Sequence, residues 1–103
     1  MIIYNVTIKV EHAIHEEWLG WMKETHIPEV MATGCFEAFR FFRILQEDEQ
    51  DGISYCVMYE TDSITSYFDY HREHAHRLQQ ESKSQFGDKY LSFRTILRSV
   101  ADQ

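Results

Sequence analysis

The apolar residues of this chain change their spacing along its length, from a period of two to about 3.6 and back. The order is strand, helix, strand, strand, helix, strand. IIYNVTIKV (2–10) alternates, with Ile2, Tyr4, Val6, Ile8 and Val10 on one face against Ile3, Asn5, Thr7 and Lys9. AIHEEWLGWMKETH (13–26) places Ile14, Trp18, Trp21, Met22 and Thr25 on one helical stripe. Ile27-Pro28 is expected to break that helix, because proline lacks an N–H and disfavours helical geometry in the residue before it. Pro28 suits the first turn of a short second helix over 28–33, and Gly34 the left-handed residue that closes it.

CFEAFRFFRIL (35–45) reads as a strand that is apolar on both faces, Phe36, Ala38, Phe42 and Ile44 against Phe39, Phe41 and Leu45. The acidic run 46–51, ending in Asp51-Gly52, reads as a hairpin loop. ISYCVMYET (53–61) is the third strand, with Ile53, Tyr55, Val57 and Tyr59 opposite Cys56 and Met58. Ser63 is an N-cap for a second helix over about 64–82, with Ile64, Tyr67, Phe68, His71, Ala75 and Leu78 as its stripe. A loop over 85–89 leads to the fourth strand, YLSFRTILRSV (90–100).

The order β-α-β-β-α-β predicts an α+β, ferredoxin-like fold, a four-stranded antiparallel sheet with both helices on one face. At 103 residues the chain is expected to form a single domain over 1–103. Two helices cover one face of such a sheet. Leaving the rings of the other face in water forfeits roughly 1.5–3 kcal/mol per side chain. The expected cover is a second copy about a two-fold axis, which gives a homodimeric α/β barrel. Arg40, Arg94 and Glu60 are expected at that dimer face.

Charge and motifs narrow the function. The net charge of −7 disfavours nucleic acid and anionic membrane surfaces as partners. No apolar run reaches the ~20 residues of a membrane helix, and the N-terminus does not read as a signal peptide. Cys35 and Cys56 have no CxxC spacing and read as buried thiols, so a cytoplasmic location is expected. The sequence has no phosphate-binding glycine loop, nucleophile elbow or HExxH.

His71 falls near the middle of the second helix's apolar stripe. It reads either as a pocket histidine acting as general base or as a core histidine bonded to a carbonyl or to Tyr67. His26, just before Pro28, reads as a pocket-rim residue or as a solvent-facing histidine at a helix C-terminus. Trp18 and Trp21 read as core anchors or as walls of a ligand pocket. His71 and His74 share a helix face, but His76 points away, and no metal site is called for.

The block EWLGWMKETHIPEVMATGCF, the opening MIIYNVTIKV, the helix containing Tyr70-His71-x-x-His74-Ala75-x-Arg77-Leu78 and the closing Phe93-Arg94-Thr95 resemble a family of small bacterial proteins of unknown function. That family lies in the dimeric α/β-barrel superfamily. The resemblance spans nearly the whole chain. It implies the sheet-to-sheet homodimer and assigns no reaction.

The wider superfamily includes cofactor-independent monooxygenases, whose ligands sit between sheet and helices. By that likeness a pocket for an apolar or aromatic small molecule is expected, lined by Trp18, Trp21, Tyr67 and His71, with His26 near its mouth and His71 taking a proton from a phenol or enol. The superfamily's haem-degrading enzymes use an asparagine on the first strand and a tryptophan and a histidine on the second helix. Asn5 and His71 are present here, the tryptophan is not, and no cofactor is expected. The alternative is a non-catalytic dimeric module that binds a metabolite or a protein.

Overall fold

A computed structural model describes residues 1–45 and 48–101, so Gln46 and Glu47 of the expected acidic loop lie outside the described residues. The strands are β1 (Ile2–Val10), β2 (Ala38–Arg43), β3 (Ile53–Thr61) and β4 (Tyr90–Arg98). They form one antiparallel sheet in the order β2-β3-β1-β4. The crossovers lie on one side of the sheet, and the arrangement is ferredoxin-like.

The alternation of β1 sets the two faces. Tyr4, Ile8 and Val10 are buried beneath the helices. Their paired neighbours on β3, Tyr59, Tyr55 and Ile53, share that face and are buried too. Val57 and Leu78 are among the most enclosed side chains, and Trp18 packs on Tyr55 at 5.2 Å between ring centroids. Tyr4 stacks on Phe36 and Tyr59, both at 5.9 Å, and meets Tyr70 at 5.5 Å.

Pro28 does not break the first helix. α1 (His15–Trp21) passes into a π-helical segment, Met22–His26, in which the N–H of Ile27 donates to the carbonyl of Met22, five residues back. α2 (Ile27–Ala32) follows without interruption. Pro28 stands in its first turn, where a missing N–H costs least. The stripe therefore runs on through Trp18, Met22, Ile27 and Val30, all buried. Gly34, at φ 76°, turns the chain toward β2 as expected.

The second helix behaves similarly. Ser63 caps α3 (Ile64–Tyr70) by accepting a hydrogen bond from the N–H of Thr65 at 3.2 Å. A π-helical segment, His71–Ala75, leads into α4 (His76–Phe86), so the helix overruns its expected end and buries Phe86. The wide segment changes which residues face inward. At about 100° per residue, Tyr70 and Ala75 would lie about 140° apart on an α-helix. A π turn brings residues five apart close to one line. Tyr70 and Ala75 are both buried, while Phe68 and His71, expected on the stripe, are exposed.

The second strand also differs from its pattern. Phe41 faces the helices, 6.2 Å from Trp18, and Phe39 shares that face through its pairing with Tyr59. Phe39 is still 45% exposed, because β2 is an edge strand. Phe42 lies on the opposite face, paired with Cys56. Phe36 was expected beside Phe42, but it precedes the strand and enters the helix-side core against Tyr59 and Tyr70. The face away from the helices carries Phe42, Phe93, Leu91 and Leu97, none of them buried. On it Arg40 donates to Glu60 at 2.8 Å. Arg94, expected there too, pairs with Val6 and points to the helix side.

Leu78→Ala removes a fully enclosed side chain and is expected to lower unfolding free energy by about 2–5 kcal/mol in urea titration. A Cβ at Gly52 would sit 2.6 Å from the Val10 carbonyl oxygen. Gly52→Ala is therefore expected to destabilise by about 1–3 kcal/mol in the same measurement, because backbone must move.

Candidate functional site

A cavity of about 30 Å³ lies between the sheet and the helices. Its apolar wall is Trp18, Met22, Val30 and Val57; its polar lining includes His26, Tyr59, Tyr70, Gln79, Ser82 and Arg94. That volume is enough for a water or for one small functional group.

His26 closes the π-helical segment and continues the row Trp18–Met22 at i+4 spacing. Its ring stacks on Trp21 at 4.9 Å. Its Nδ1 is buried and has no hydrogen-bond partner among the described residues. Burial dominates its titration and holds the pKa down to about 4; the negative charge of Glu81 opposes this and the positive charge of Arg94 reinforces it. His26 is therefore a neutral imidazole at physiological pH.

The hydroxyl of Tyr59 is the second buried polar atom on this cavity without a partner. Burial pushes the phenols of Tyr59, Tyr70 and Tyr4 upward, so all three stay protonated. A buried donor or acceptor left unpaired costs about 1–3 kcal/mol, and such groups are few in native proteins. Two of them line this one small cavity.

Arg94 stands at the mouth. Its Nε–H donates to the Tyr4 hydroxyl at 3.1 Å and its Nη1 to Ser92 Oγ at 3.2 Å. β4 is an edge strand, and the helices leave its outer margin open. A surface groove of about 460 Å³ runs there between β4 and α4. It shares Gln79, Tyr90, Ser92 and Arg94 with the inner cavity, so these four side chains form the partition between the two.

Of the residues singled out in the sequence, Trp18 and His26 line the cavity. Trp21 lies behind His26 and holds its ring, with its other contact an edge-on packing against Phe86 at 5.3 Å. Tyr67 is half-buried against Tyr4 at 5.4 Å and does not reach the cavity. His71 is exposed, stacked on Tyr67 at 6.0 Å, which removes the geometric basis for a base in an enclosed pocket. Among the described residues no group of three or more His, Cys, Asp or Glu is gathered as a metal site. No helix among them is long and apolar enough to cross a membrane.

Tyr59, Gln79, Ser82 and Arg94 were missed by pattern reading. Their signal is a polar group in the phase of the apolar residues. Gln79 and Ser82 follow Ala75 toward Phe86 at steps of four, three and four, and Arg94 shares the parity of Ser92 and Tyr90.

Comparison with solved structures places this architecture among dimeric ferredoxin-like proteins. Two such proteins from uncultured marine organisms superpose with TM-scores of 0.76 and 0.71, at 11% and 12% identity. The first comparison covers 99% of this chain and 97% of that one, and the second 100% and 98%. An ethyl tert-butyl ether D (EthD) family protein from Bacillus halodurans superposes with a TM-score of 0.69 at 14% identity, covering 97% of this chain and 100% of its own. These likenesses establish the fold. The chain belongs to the family described as domain of unknown function DUF4286, which matches residues 1–100. No curated protein matches it.

His26 ties stability to pH. Its folded pKa, about 4, lies below the ordinary 6.5. Between those values the unfolded chain binds more protons, so stability rises with pH. The contribution is complete above about pH 6.5 and is lost as pH falls toward 4, to a limit of about 3 kcal/mol. The expected result is a steep loss of urea stability from pH 6.5 to 4 that flattens in His26→Gln. In NMR the His26 ring should titrate near pH 4.

Proposed function

We propose that this protein is a small-molecule-binding homodimer whose ligand inserts a hydrogen-bonding group between sheet and helices. The observation that carries the reading is the pair of buried, unpartnered atoms, His26 Nδ1 and the Tyr59 hydroxyl, on one cavity. A ligand hydroxyl there donates to one and accepts from the other. The groove outside, about 460 Å³, is of the size that holds small ligands, roughly 300–1,000 Å³.

The same geometry favours binding over cofactor-independent oxygenase chemistry. A general base works best when its pKa lies near the operating pH. His26 lies well below that, at about 4, and accepts a hydrogen bond far more readily than it removes a phenolic proton. His71 is outside the cavity.

The dimer reading rests on the uncovered sheet face. Phe93 is 66% exposed and Leu91 62%, with Phe42 and Leu97 on the same face. Neighbours described as dimeric share the fold. A second copy laid face to face dries these side chains at about 1.5–3 kcal/mol each.

Light scattering should give twice the 12.4 kDa chain mass, falling to the single mass in Phe93→Glu; a monomeric native protein overturns the dimer. Fragment screening by NMR with small phenols, alcohols and acids is expected to shift the His26 and Tyr59 ring signals. Tyr59→Phe should weaken the hits about fivefold, the worth of one hydrogen bond near 1 kcal/mol. If no fragment moves those rings, the cavity is only a packing defect.

A further inference from the structure

The partition between cavity and groove contains a cation without a counter-ion. Among the described residues no carboxylate lies within ion-pair distance of Arg94. The chain carries 17 acidic residues against 10 basic ones, so an unpaired arginine at a cavity mouth is not a matter of scarcity. Nor is the guanidinium loose: Tyr4, itself buried, and Ser92 each take one of its N–H groups. Those two bonds hold the planar fork in place, with Nη2 free of hydrogen bonds among the described residues. A fork held this way is suited to a carboxylate.

The other charged groups of the groove are Lys83 and Asp88, and His76 is its further titratable group. Lys83 adds a second cation on the α4 side. The ring of Tyr90 supplies an apolar wall between the two ends.

We infer that the ligand is a hydroxy acid, its carboxylate held by Arg94 at the mouth and its hydroxyl reaching His26 Nδ1 and the Tyr59 hydroxyl inside. This rests on the proposed binding at the cavity and adds the chemical class. The inner cavity, about 30 Å³, admits the hydroxyl alone, while the carbon skeleton lies along Tyr90 in the groove. A neutral phenol leaves Arg94 unpaired, and a simple acid leaves the inner pair unpaired. A hydroxy acid is the smallest class that satisfies both.

The test is calorimetry with 4-hydroxybenzoate and 3-hydroxybutyrate, each against its neutral amide, and with benzoate, which lacks the hydroxyl. At least one hydroxy acid is expected to bind about tenfold more tightly than its amide, as a charge-assisted hydrogen bond allows. Arg94→Gln should abolish that preference by weakening the acid far more than its amide, with Arg94→Lys recovering part of it. Both variants disturb the donor to the buried Tyr4 hydroxyl, so a melting temperature lowered by a few degrees is expected, with circular dichroism checking that the fold is kept. Equal affinity of acid and amide, or an acid preference that survives Arg94→Gln, overturns the assignment. If amides bind in a Tyr59-dependent way with no acid preference, the cavity still binds ligands and only the anionic class is wrong. If no probe binds, charged or neutral, both readings fall.

Discussion

Everything in this fold depends on the even-numbered side of β1. Tyr4, Ile8 and Val10 lie under both helices, and the antiparallel register carries the same phase into β3 and β4. A slip of one residue would turn that whole face to the other side. The register also puts Arg94 opposite Val6, and hence on the same side as Tyr4. The position of the cation is a consequence of strand pairing. The core and the candidate site are built from one set of contacts.

The helices contribute through their wide turns. Each carries a π-helical segment in mid-course, a local geometry often found at functional sites. In the first helix it joins α1 to a proline-led α2 and ends at His26 on the cavity. In the second it turns Tyr70 inward and His71 outward. His71 leaves the stripe that uniform helical periodicity assigns it, while His26 lies on the cavity. The imidazole at the site is thus a desolvated acceptor.

The cavity combines a mostly aromatic and aliphatic enclosure with polar groups whose partners are missing. Three phenols kept neutral by burial and an imidazole kept neutral by burial form an interior rich in hydrogen bonding and free of charge. The charge stands at the margin, on Arg94, where the edge strand leaves the helices. In the proposed binding mode the anion stays in contact with solvent and the hydroxyl lies away from it. Full desolvation of the charge, the costly step for a buried ion, is avoided.

Element order, the limits of β1 and β3 and the helix-facing row of β1 were legible in the amino-acid sequence, because period-two alternation survives any packing that buries one face of a sheet. The Ser63 cap and the turn at Gly34 were legible for a local reason, a side-chain acceptor and a positive φ. The path of Phe36 into the core and the outward turn of His71 were not. Each depends on a step that departs from a uniform repeat: a residue ahead of its strand, or a turn with one residue too many. Local propensity does not encode such steps. They are selected by the burial of Trp18, Tyr70 and Leu78 against residues far away in the chain, and the unpaired atoms of the cavity exist only once that packing is complete.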